Sequence, residues 1–449
     1  MKNKTIQQSL YLVSLGCPKN LVDSQVIAGN LLSNGAAWAY TPDEATVYVI
    51  NTCAFLPEAR EEAVQEIEQA VLWKNDLPQE RKIIVCGCLS QYDKNGEFAK
   101  RFPEVDIWAG VDDVAKINEI AAGKESVSRT KDYLYCSETP LLPLTLEHIA
   151  YIKIADGCNN ICSYCAIPRL RGALRSRPAS DIVREAENYI ANGAKELIII
   201  AQDITAYGAD RPQDKENLSV LLKAIDDLDG DFGIRLLYTH PAHYTDELFE
   251  TLSQMKHLIP YVDIPLQHIS DRILKEMNRH VDSARIREVI AKLREAVKGI
   301  TVRTTFITGL PGESEEEFAE LEKFIKEMKF DRLGVFPYSP EPETPAAKMA
   351  NQISLEVAEA RAAKLMSYQR RAMKSANKKL IGSVMDVVID SISDGYAVAR
   401  GSFDAPDIDN AVFVENISSR VRVGDRVTVE IVDTDRCDLV AVIKKGKRK

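Results

Sequence analysis

The sequence predicts an α/β protein of three domains: a doubly wound parallel α/β domain, a TIM-like (βα)6 barrel and a small antiparallel β-barrel. Three observations support this prediction. The chain has 449 residues, about three times the length of an ordinary domain of roughly 150 residues. Short apolar runs alternate with helical stretches up to a long polar helix at 354–380, as in parallel sheets. After Gly382 the pattern changes to short alternating strands, which is typical of a small barrel.

The first domain is predicted over residues 8–125. Apolar runs at 10–15, 47–50 and 82–85 indicate strands, and the stretch 58–72 indicates a helix between two of them. Strands that alternate with helices favour a parallel, doubly wound sheet, in which ligands bind beyond the carboxyl ends of the strands.

The second domain is predicted over 145–378, after an irregular linker at 126–146. A helix with Ser180 as its N-cap and a helix opened by the capping box Ser314 and Glu317 fill two of the gaps between its strands. Six βα units favour a partial or complete TIM-like barrel, with its active site at the carboxyl ends of the strands. The six predicted strands are 149–155, 196–201, 233–238, 261–266, 300–307 and 332–336.

The third domain is predicted over 380–446, after the polar helix, which serves as a connector. Turn residues at 394–395, 404–407 and 424–425 separate its short strands, so we expect an antiparallel barrel.

Composition restricts the class of protein. Hydrophobic residues make up 45% of the chain, but no apolar run approaches the roughly 20 residues of a membrane span. The N-terminus lacks a signal-peptide pattern, so we expect a cytoplasmic protein. A net charge of −10 disfavours nucleic-acid binding through bulk charge. Because the cytosol is reducing, the nine cysteines point to metal binding or catalysis rather than to disulfides.

Three cysteines lie close together in the loop after the first predicted barrel strand. Cys158, Cys162 and Cys165 form a C-x3-C-x2-C triplet, which suits a [4Fe–4S] cluster with one iron left open. Zinc is the competing metal, but it needs a fourth nearby ligand, and His148 is separated from the triplet by a strand. Three buried thiols without a metal are the third possibility.

A second set of cysteines is spread over the first domain. Cys17, Cys53 and Cys88 each follow a predicted strand, and the carboxyl ends of parallel strands share one rim of the sheet. Cys88 is preferred to Cys86 as a ligand because Gly87-Cys88 repeats the loop dipeptide Gly16-Cys17. Cys86, in contrast, is still on the predicted strand. On spacing alone, all of them could instead be buried small hydrophobic residues. Cys136 and Cys437 have no partner by spacing.

The C-x3-C-x2-C triplet, with Tyr164 before its last cysteine, resembles the signature of the radical S-adenosylmethionine (SAM) superfamily. The resemblance implies that SAM binds the open iron and is cleaved reductively to a 5′-deoxyadenosyl radical. It also implies SAM contacts at Tyr164, Gln202, Asp203 and Gly309. Two of these have plainer interpretations, since Asp203 could cap the segment that follows it and Gly309 could belong to an ordinary turn. His268 is interpreted as a hydrogen-bonding residue rather than as an acid or base.

Together with the barrel, the first cysteine set resembles the N-terminal domain of the methylthiotransferase family. That resemblance implies a second [4Fe–4S] cluster on Cys17, Cys53 and Cys88, whose open iron carries the sulfur to be transferred. A second SAM would supply the methyl group, and a low-potential donor such as flavodoxin or ferredoxin would supply electrons.

Within this family the chain resembles the RimO-like branch, which modifies the β-carbon of an aspartate in ribosomal protein S-twelve. The resemblance lies in the segments 201–208, 167–172, 176–178, 238–241 and 404–409; Glu343 departs from it, where glycine is expected.

The last domain resembles TRAM, a module that usually binds RNA, yet residues 381–443 hold twelve acidic residues and five arginines, a net charge of −7. RNA binding by this domain is therefore not expected. A MiaB-like tRNA adenosine methylthiotransferase and a non-enzymatic iron–sulfur carrier or redox sensor are the alternatives.

Overall fold

The computed structural model describes residues 8–78, 80–121 and 133–444. The ends predicted for the first and third domains, residues 125 and 446, lie outside the described residues, as does the start of the predicted linker at 126. No helix within the described ranges is both long and apolar enough to cross a membrane.

The N-terminal domain is a five-stranded, fully parallel sheet in the order β2-β1-β3-β4-β5. Helices pack on both of its faces, as predicted for a doubly wound sheet, because α1 and α5 share one apolar cluster while α2 belongs to another. The strands are β1 (Ser9–Ser14), β2 (Ala37–Trp38), β3 (Val47–Thr52), β4 (Lys82–Gly87) and β5 (Ile107–Ala109). The helices are α1 (Pro18–Ser33), α2 (Pro57–Asp76), α3 (Cys88–Tyr92), α4 (Glu97–Arg101) and α5 (Ile117–Ala121).

The central domain is a six-stranded parallel sheet in the order β13-β12-β11-β10-β9-β6. Its two outer strands do not pair with each other in the part of the chain described, so the barrel is partial. The strands are β6 (Ile149–Lys153), β9 (Glu196–Ile200), β10 (Gly233–Leu236), β11 (Leu258–Asp263), β12 (Thr301–Thr308) and β13 (Arg332–Pro337), with a short antiparallel pair, β7 (Ala155–Asp156) and β8 (Arg175–Ser176). The helices are α6 (Ile167–Arg171), α7 (Ala179–Ala191), α8 (Leu218–Asp226), α9 (Asp246–Gln254), α10 (Asp271–Glu276), α11 (Ser283–Ala296), α12 (Glu315–Met328) and α13 (Leu355–Lys378).

Local signals in this domain meet with mixed success. The capping box of α12 is confirmed, since Ser314 and Glu317 exchange both of its hydrogen bonds. The predicted N-cap Ser180 is wrong, because α7 begins at Ala179 after Pro178 and has no side-chain cap. The strand predicted at 261–266 lies three residues earlier, at Leu258–Asp263, because its pairing with the strand at Gly233–Leu236 begins at Leu258.

The C-terminal domain is a closed barrel in the order β14-β15-β16-β18-β17. Only the pair β16–β18 is parallel, so the predicted antiparallel barrel is right for the other four pairs. Its loop 401–411 fixes it to the central sheet: Arg332 pairs with Asp404 at 2.6 Å, and the Tyr261 hydroxyl donates to Asp409 at 2.6 Å. The strands are β14 (Val384–Ser393), β15 (Tyr396–Arg400), β16 (Val412–Glu415), β17 (Arg426–Asp435) and β18 (Asp438–Ile443).

Candidate functional site

The first cysteine set lies at one edge of the N-terminal sheet. Cys17 is the residue before α1, Cys53 follows β3 directly, and Cys88 begins α3 after β4. The strands are in parallel register, with Thr52 opposite Gly87, so their carboxyl ends are side by side. A Cβ on Gly16 would stand 2.6 Å from the Cβ of Cys53, which shows how closely these loops approach.

The charges around this set are uneven. Burial raises the pKa of Cys53, and it raises that of Cys88 to about 12. Burial also acts to raise the pKa of Cys17, but the cations of Lys19 and Arg171 outweigh it and lower that pKa. Arg171 lies 3.8 Å from the sulfur of Cys88. Cationic neighbours of this kind stabilise thiolates, the form in which cysteine binds iron.

Cys86 differs from these three. It is the fifth residue of β4, is fully buried in the apolar cluster beside α1, and directs its thiol to the carbonyl of Ile50 at 3.5 Å. Burial raises its pKa. Cys86 is therefore placed as a core thiol, whereas Cys88 stands past the strand end.

The second triplet lies in the loop between β7 and α6. Backbone N–H groups of Asn160 and Ile167 point at the sulfurs of Cys158 and Cys165, at 3.4 and 3.5 Å. Burial raises the pKa of Cys158 to about 11 and that of Cys165 to about 12. Oriented N–H groups of this kind support a negatively charged sulfur, which an iron–sulfur cluster requires.

Arg279 completes the surroundings of Cys162. Its guanidinium lies 3.6 Å from the Cys162 sulfur and 3.5 Å from the Tyr164 hydroxyl, and it donates to the carbonyl of Pro265 at 2.6 Å. Tyr164 packs against the apolar cluster that contains Leu310. Tyr164 therefore supports the cluster loop in this structure, and its predicted contact with SAM stays a prediction.

The spacing of the sulfurs bears on the metal. Sulfurs on a single tetrahedral zinc ion, at a Zn–S distance of 2.3 Å, would stand about 3.8 Å apart. Across the described residues, the one group whose ligand atoms all lie within 4.8 Å of one another is Asp203, His240 and His243. Neither cysteine triplet forms a group that compact among the described residues.

A buried set of four charged groups, here called the charge square, lies between the two triplets. Asp23 of α1 binds Lys153 and Arg171, the latter at 2.8 Å, and Asp156 binds the same two cations, each at 2.9 Å. All four side chains are at most 8% exposed. Gln202 donates to Asp156 at 2.8 Å. The square therefore joins the domain of the first triplet to the loop that carries the second.

Asp203 is fully engaged. It accepts hydrogen bonds from Asn160 in the cluster loop at 2.7 Å, from the backbone N–H of Thr205 at 3.0 Å and from His243 at 2.8 Å. Burial acts to raise its pKa, but the His243 hydrogen bond and the charges of His240 and His243 lower it to about 2. Asp203 thus caps the turn that follows it, as one interpretation held, and also fixes the cluster loop. Gln202 is bound to Asp156, and contacts of either residue with SAM stay predictions.

Gly309 has its left-handed conformation, with φ 77°, for packing: a Cβ there would stand 2.3 Å from the Cβ of Ala358 in α13. His268 is completely buried, and its Nδ1 accepts a hydrogen bond from the backbone N–H of Ser270 at 3.0 Å. Burial lowers the pKa of His268 to about 4, so it stays neutral at physiological pH, as expected for a hydrogen-bonding residue. A contact between Gly309 and SAM stays a prediction.

Several residues of the site had no clear signal in the sequence. Arg279 reaches the Cys162 sulfur from the segment after α10, and His240 and His243 gather around Asp203, which holds Asn160 of the cluster loop. His240 accepts a hydrogen bond from the backbone N–H of Ala242, and its buried Nε2 has no partner among the described residues. The available hint was position, since His240 and His243 follow the third barrel strand, where active-site residues gather.

Comparison with known proteins agrees with this organisation. The family model "Radical SAM superfamily" matches residues 152–325, "Uncharacterized protein family UPF0004" matches 9–110 and "TRAM domain" matches 381–443. A radical S-adenosylmethionine methyltransferase, TsrM, from Kitasatospora setae, solved with tryptophan and a SAM analogue, superposes with a TM-score of 0.58. It is 15% identical over 76% of this chain and 75% of that one, which shows the shared fold.

Full-length relatives are more informative. "Ribosomal protein uS12 methylthiotransferase RimO" of Geotalea uraniireducens is 42% identical over 98% of this chain and 99% of its own length. The RimO protein of Akkermansia muciniphila is 41% identical over 96% of this chain and 98% of its own. Because relatives of this identity match nearly the whole length of the chain, the chain belongs to the RimO family of radical SAM methylthiotransferases.

Proposed function

We propose that this enzyme adds a methylthio group to the β-carbon of an aspartate in ribosomal protein uS12. The observation that carries the proposal is similarity over the whole chain to relatives named for that protein substrate. The charge square supports it, because it fixes the loop of the second triplet against the domain that holds the first. Two sites that must act on one substrate atom need such a fixed relation.

In this proposal Cys158, Cys162 and Cys165 hold one [4Fe–4S] cluster, and Cys17, Cys53 and Cys88 hold another. When bound, the two clusters and SAM would remove a hydrogen atom from the substrate and supply the sulfur and the methyl group. The chain's own residues orient these groups. Oriented N–H groups face Cys158 and Cys165, Arg279 and Arg171 place positive charge beside Cys162 and Cys88, and Asp203 anchors the second loop.

Partners follow from the same proposal. The substrate is uS12, free or on the small subunit, and a low-potential protein such as flavodoxin or ferredoxin supplies electrons. RNA binding by the C-terminal barrel is not part of the proposal, since Arg400, one of its five arginines, is buried against Asp390 and Glu196. The predicted domain limits, 8–125, 145–378 and 380–446, and a cytoplasmic location belong to the same proposal.

The test combines metal analysis with a substrate assay under anaerobic conditions. On the two-cluster proposal, the reconstituted enzyme should bind eight irons per chain, and Cys88→Ala should reduce this number to about four. Cys86→Ala, the matched control two residues earlier on β4, should keep both clusters. With dithionite and SAM, mass spectrometry should find the methylthio group on uS12. Methylthioadenosine in a tRNA substrate instead would indicate the MiaB-like alternative, and failure to cleave SAM would indicate a carrier or sensor.

A further inference from the structure

Lys19 is a buried cation that forms no ion pair with the residues the structure describes. It is 8% exposed, and within the described ranges its ammonium has neither a carboxylate in salt-bridge range nor a hydrogen-bond acceptor. Other buried cations near the site have close partners: Lys153 and Arg171 bind the carboxylates of Asp23 and Asp156, and Arg279 donates to the carbonyl of Pro265. An ammonium out of water without an anion is unfavourable by several kcal/mol. Cys17, Asp263 and Asp156 attract the ammonium from a distance, but none of the described carboxylates lies in ion-pair contact with it.

The ammonium lies where the two halves of the site meet. Lys19 stands two residues after Cys17 of the first triplet, and its Nζ lies 3.2 Å from the ring centre of Tyr238, just past β10 of the central domain. Tyr238 holds a left-handed backbone conformation, φ 64°, which is unfavourable for a tyrosine. Its N–H donates to Asp263 at 3.2 Å. The backbone strain at Tyr238 presents its ring to Lys19, and strain of this kind collects at functional sites.

The neighbouring carboxylates are already committed. Asp263 accepts from Arg303, and Asp156 accepts from Lys153, Arg171 and Gln202. The attraction of the Tyr238 ring is worth about 2 kcal/mol when desolvated and leaves Lys19 without a carboxylate in contact with it. A cation needed only by the first cluster would not have to reach the barrel. Lys19 does reach it, at the strand ends where barrel enzymes bind their substrates.

We infer that Lys19 binds the side-chain carboxylate of the substrate aspartate, an inference that rests on the function proposed above. The β-carbon of an aspartate is bonded directly to its carboxylate carbon, so an ammonium that holds the carboxylate also positions the β C–H bond. The same contact rejects an uncharged amide, because a buried ammonium would then stay unpaired. Lys19 is in this sense a specificity and positioning residue.

The experiment is a double-variant cycle between enzyme and substrate. Wild-type enzyme, Lys19→Met and Lys19→Arg are reconstituted anaerobically and tested with uS12 that carries either aspartate or asparagine at the modified position. Both binding and methylthio transfer are measured. Lys116→Met, an exposed lysine of the same domain, is the matched control. Iron content and the electron paramagnetic resonance spectra of the clusters are recorded for each protein.

We expect wild-type enzyme and Lys116→Met to bind the aspartate substrate at least about 30-fold more tightly than the asparagine substrate, the lower range for loss of one partner of a buried charge pair. Lys19→Met should retain its iron and lose most of this ratio, and Lys19→Arg should restore part of it. A merely structural role of Lys19 would not change the ratio.

Two results would overturn the inference. In the first, Lys19→Met discriminates between aspartate and asparagine as well as the wild type does. In the second, it loses binding or transfer equally for both substrates while the cluster spectra change, which would assign Lys19 to the first cluster or to the sulfur that it carries. Failure of the proposed function looks different, since wild-type enzyme would then cleave SAM and leave both forms of uS12 unmodified.

Discussion

The charge square makes a quantitative prediction for the variant Asp23→Asn. The four groups sum to zero charge, and Asp23 is the one anion that the N-terminal domain contributes. Without it, Lys153 and Arg171 share the single carboxylate of Asp156. At 2.8 Å and an effective dielectric constant near 20, one contact is worth about 6 kcal/mol before desolvation. Measured losses on removing one partner of a buried pair are about 3–5 kcal/mol.

Hydrogen exchange measures this loss locally. Amides of α1 and β6 in Asp23→Asn should exchange roughly 150- to 5,000-fold faster than in the wild type, which corresponds to that free energy of opening. Asp43→Asn, whose carboxylate is 92% exposed, is the control and should change these rates little.

The double variant Asp23→Asn, Lys153→Met is the decisive comparison. It leaves Asp156 and Arg171 as a neutral pair, so its loss of protection should be smaller than the sum of the two single losses by about 1–3 kcal/mol. Strictly additive losses would refute the argument, because they would show that Asp23 and Lys153 stabilise the interface through packing and not as one charge set.

Two further predictions concern buried positions. Gly309→Ala should lower the free energy of unfolding by about 2–5 kcal/mol, because of left-handed backbone strain and the clash with Ala358. The control is Gly299→Ala, where φ is 75° and the surrounding space is open, so only the backbone strain should lower its stability. If differential scanning calorimetry finds equal losses for the two variants, the clash does not contribute. His268 has a folded-state pKa of about 4, so the unfolded chain binds its proton first as pH falls below about 6.5, and wild-type stability should drop by roughly 2 kcal/mol between pH 7 and pH 5 on this account. His268→Asn keeps an acceptor for the Ser270 N–H and should lack that drop, which thermal midpoints measured at pH 7 and pH 5 would show. If the variant loses as much stability as the wild type, the drop belongs to other groups.

Much of the fold could be predicted because its signals are local. The strands of both parallel sheets are runs of apolar and β-branched residues, and β9 begins at the predicted residue, Glu196. Boundaries shifted where one backbone conformation decided them. The strand predicted at 233–238 ends at Leu236, because Tyr238 turns to positive φ beside Lys19. No pattern of residue types announces that turn, since tyrosine ordinarily favours strands.

The site divides in the same way. That the cysteines of the first domain meet at one edge follows from parallel topology, so the sequence pattern alone predicts it. Arg279 could not be expected: it lies 117 residues from Cys162, and in sequence it cannot be told from a solvated arginine. Its place beside that sulfur depends on where the chain after β11 returns.

The charge of the C-terminal barrel shows what a sum over sequence leaves out. Asp390, Asp404 and Asp409 belong to the twelve acidic residues of that domain, yet each is paired at the interface with the central domain. Burial raises the pKa of Asp404 to about 6 despite the attraction of Arg332, so burying this carboxylate costs stability. A carboxylate buried at the interface also cannot repel the phosphates of an RNA at the surface. The nine acidic residues that remain still outnumber the four arginines outside the interface. The prediction that this domain does not bind RNA therefore rests on a smaller excess of negative charge than the whole-domain sum.

Buried charged groups hold the central domain to both of its neighbours, although apolar contacts of the same volume are often as stable or more so. Charged pairs differ in being directional. Asp156 illustrates the consequence: its two oxygens bind Lys153, Arg171, Gln202 and the backbone N–H of Gly157, the residue that opens the cluster loop. A shift of α1 against β6 would break several of these bonds together, whereas an apolar contact could slide. The charge square therefore favours one relative position of the two cysteine triplets, which is the property that transfer between two sites requires.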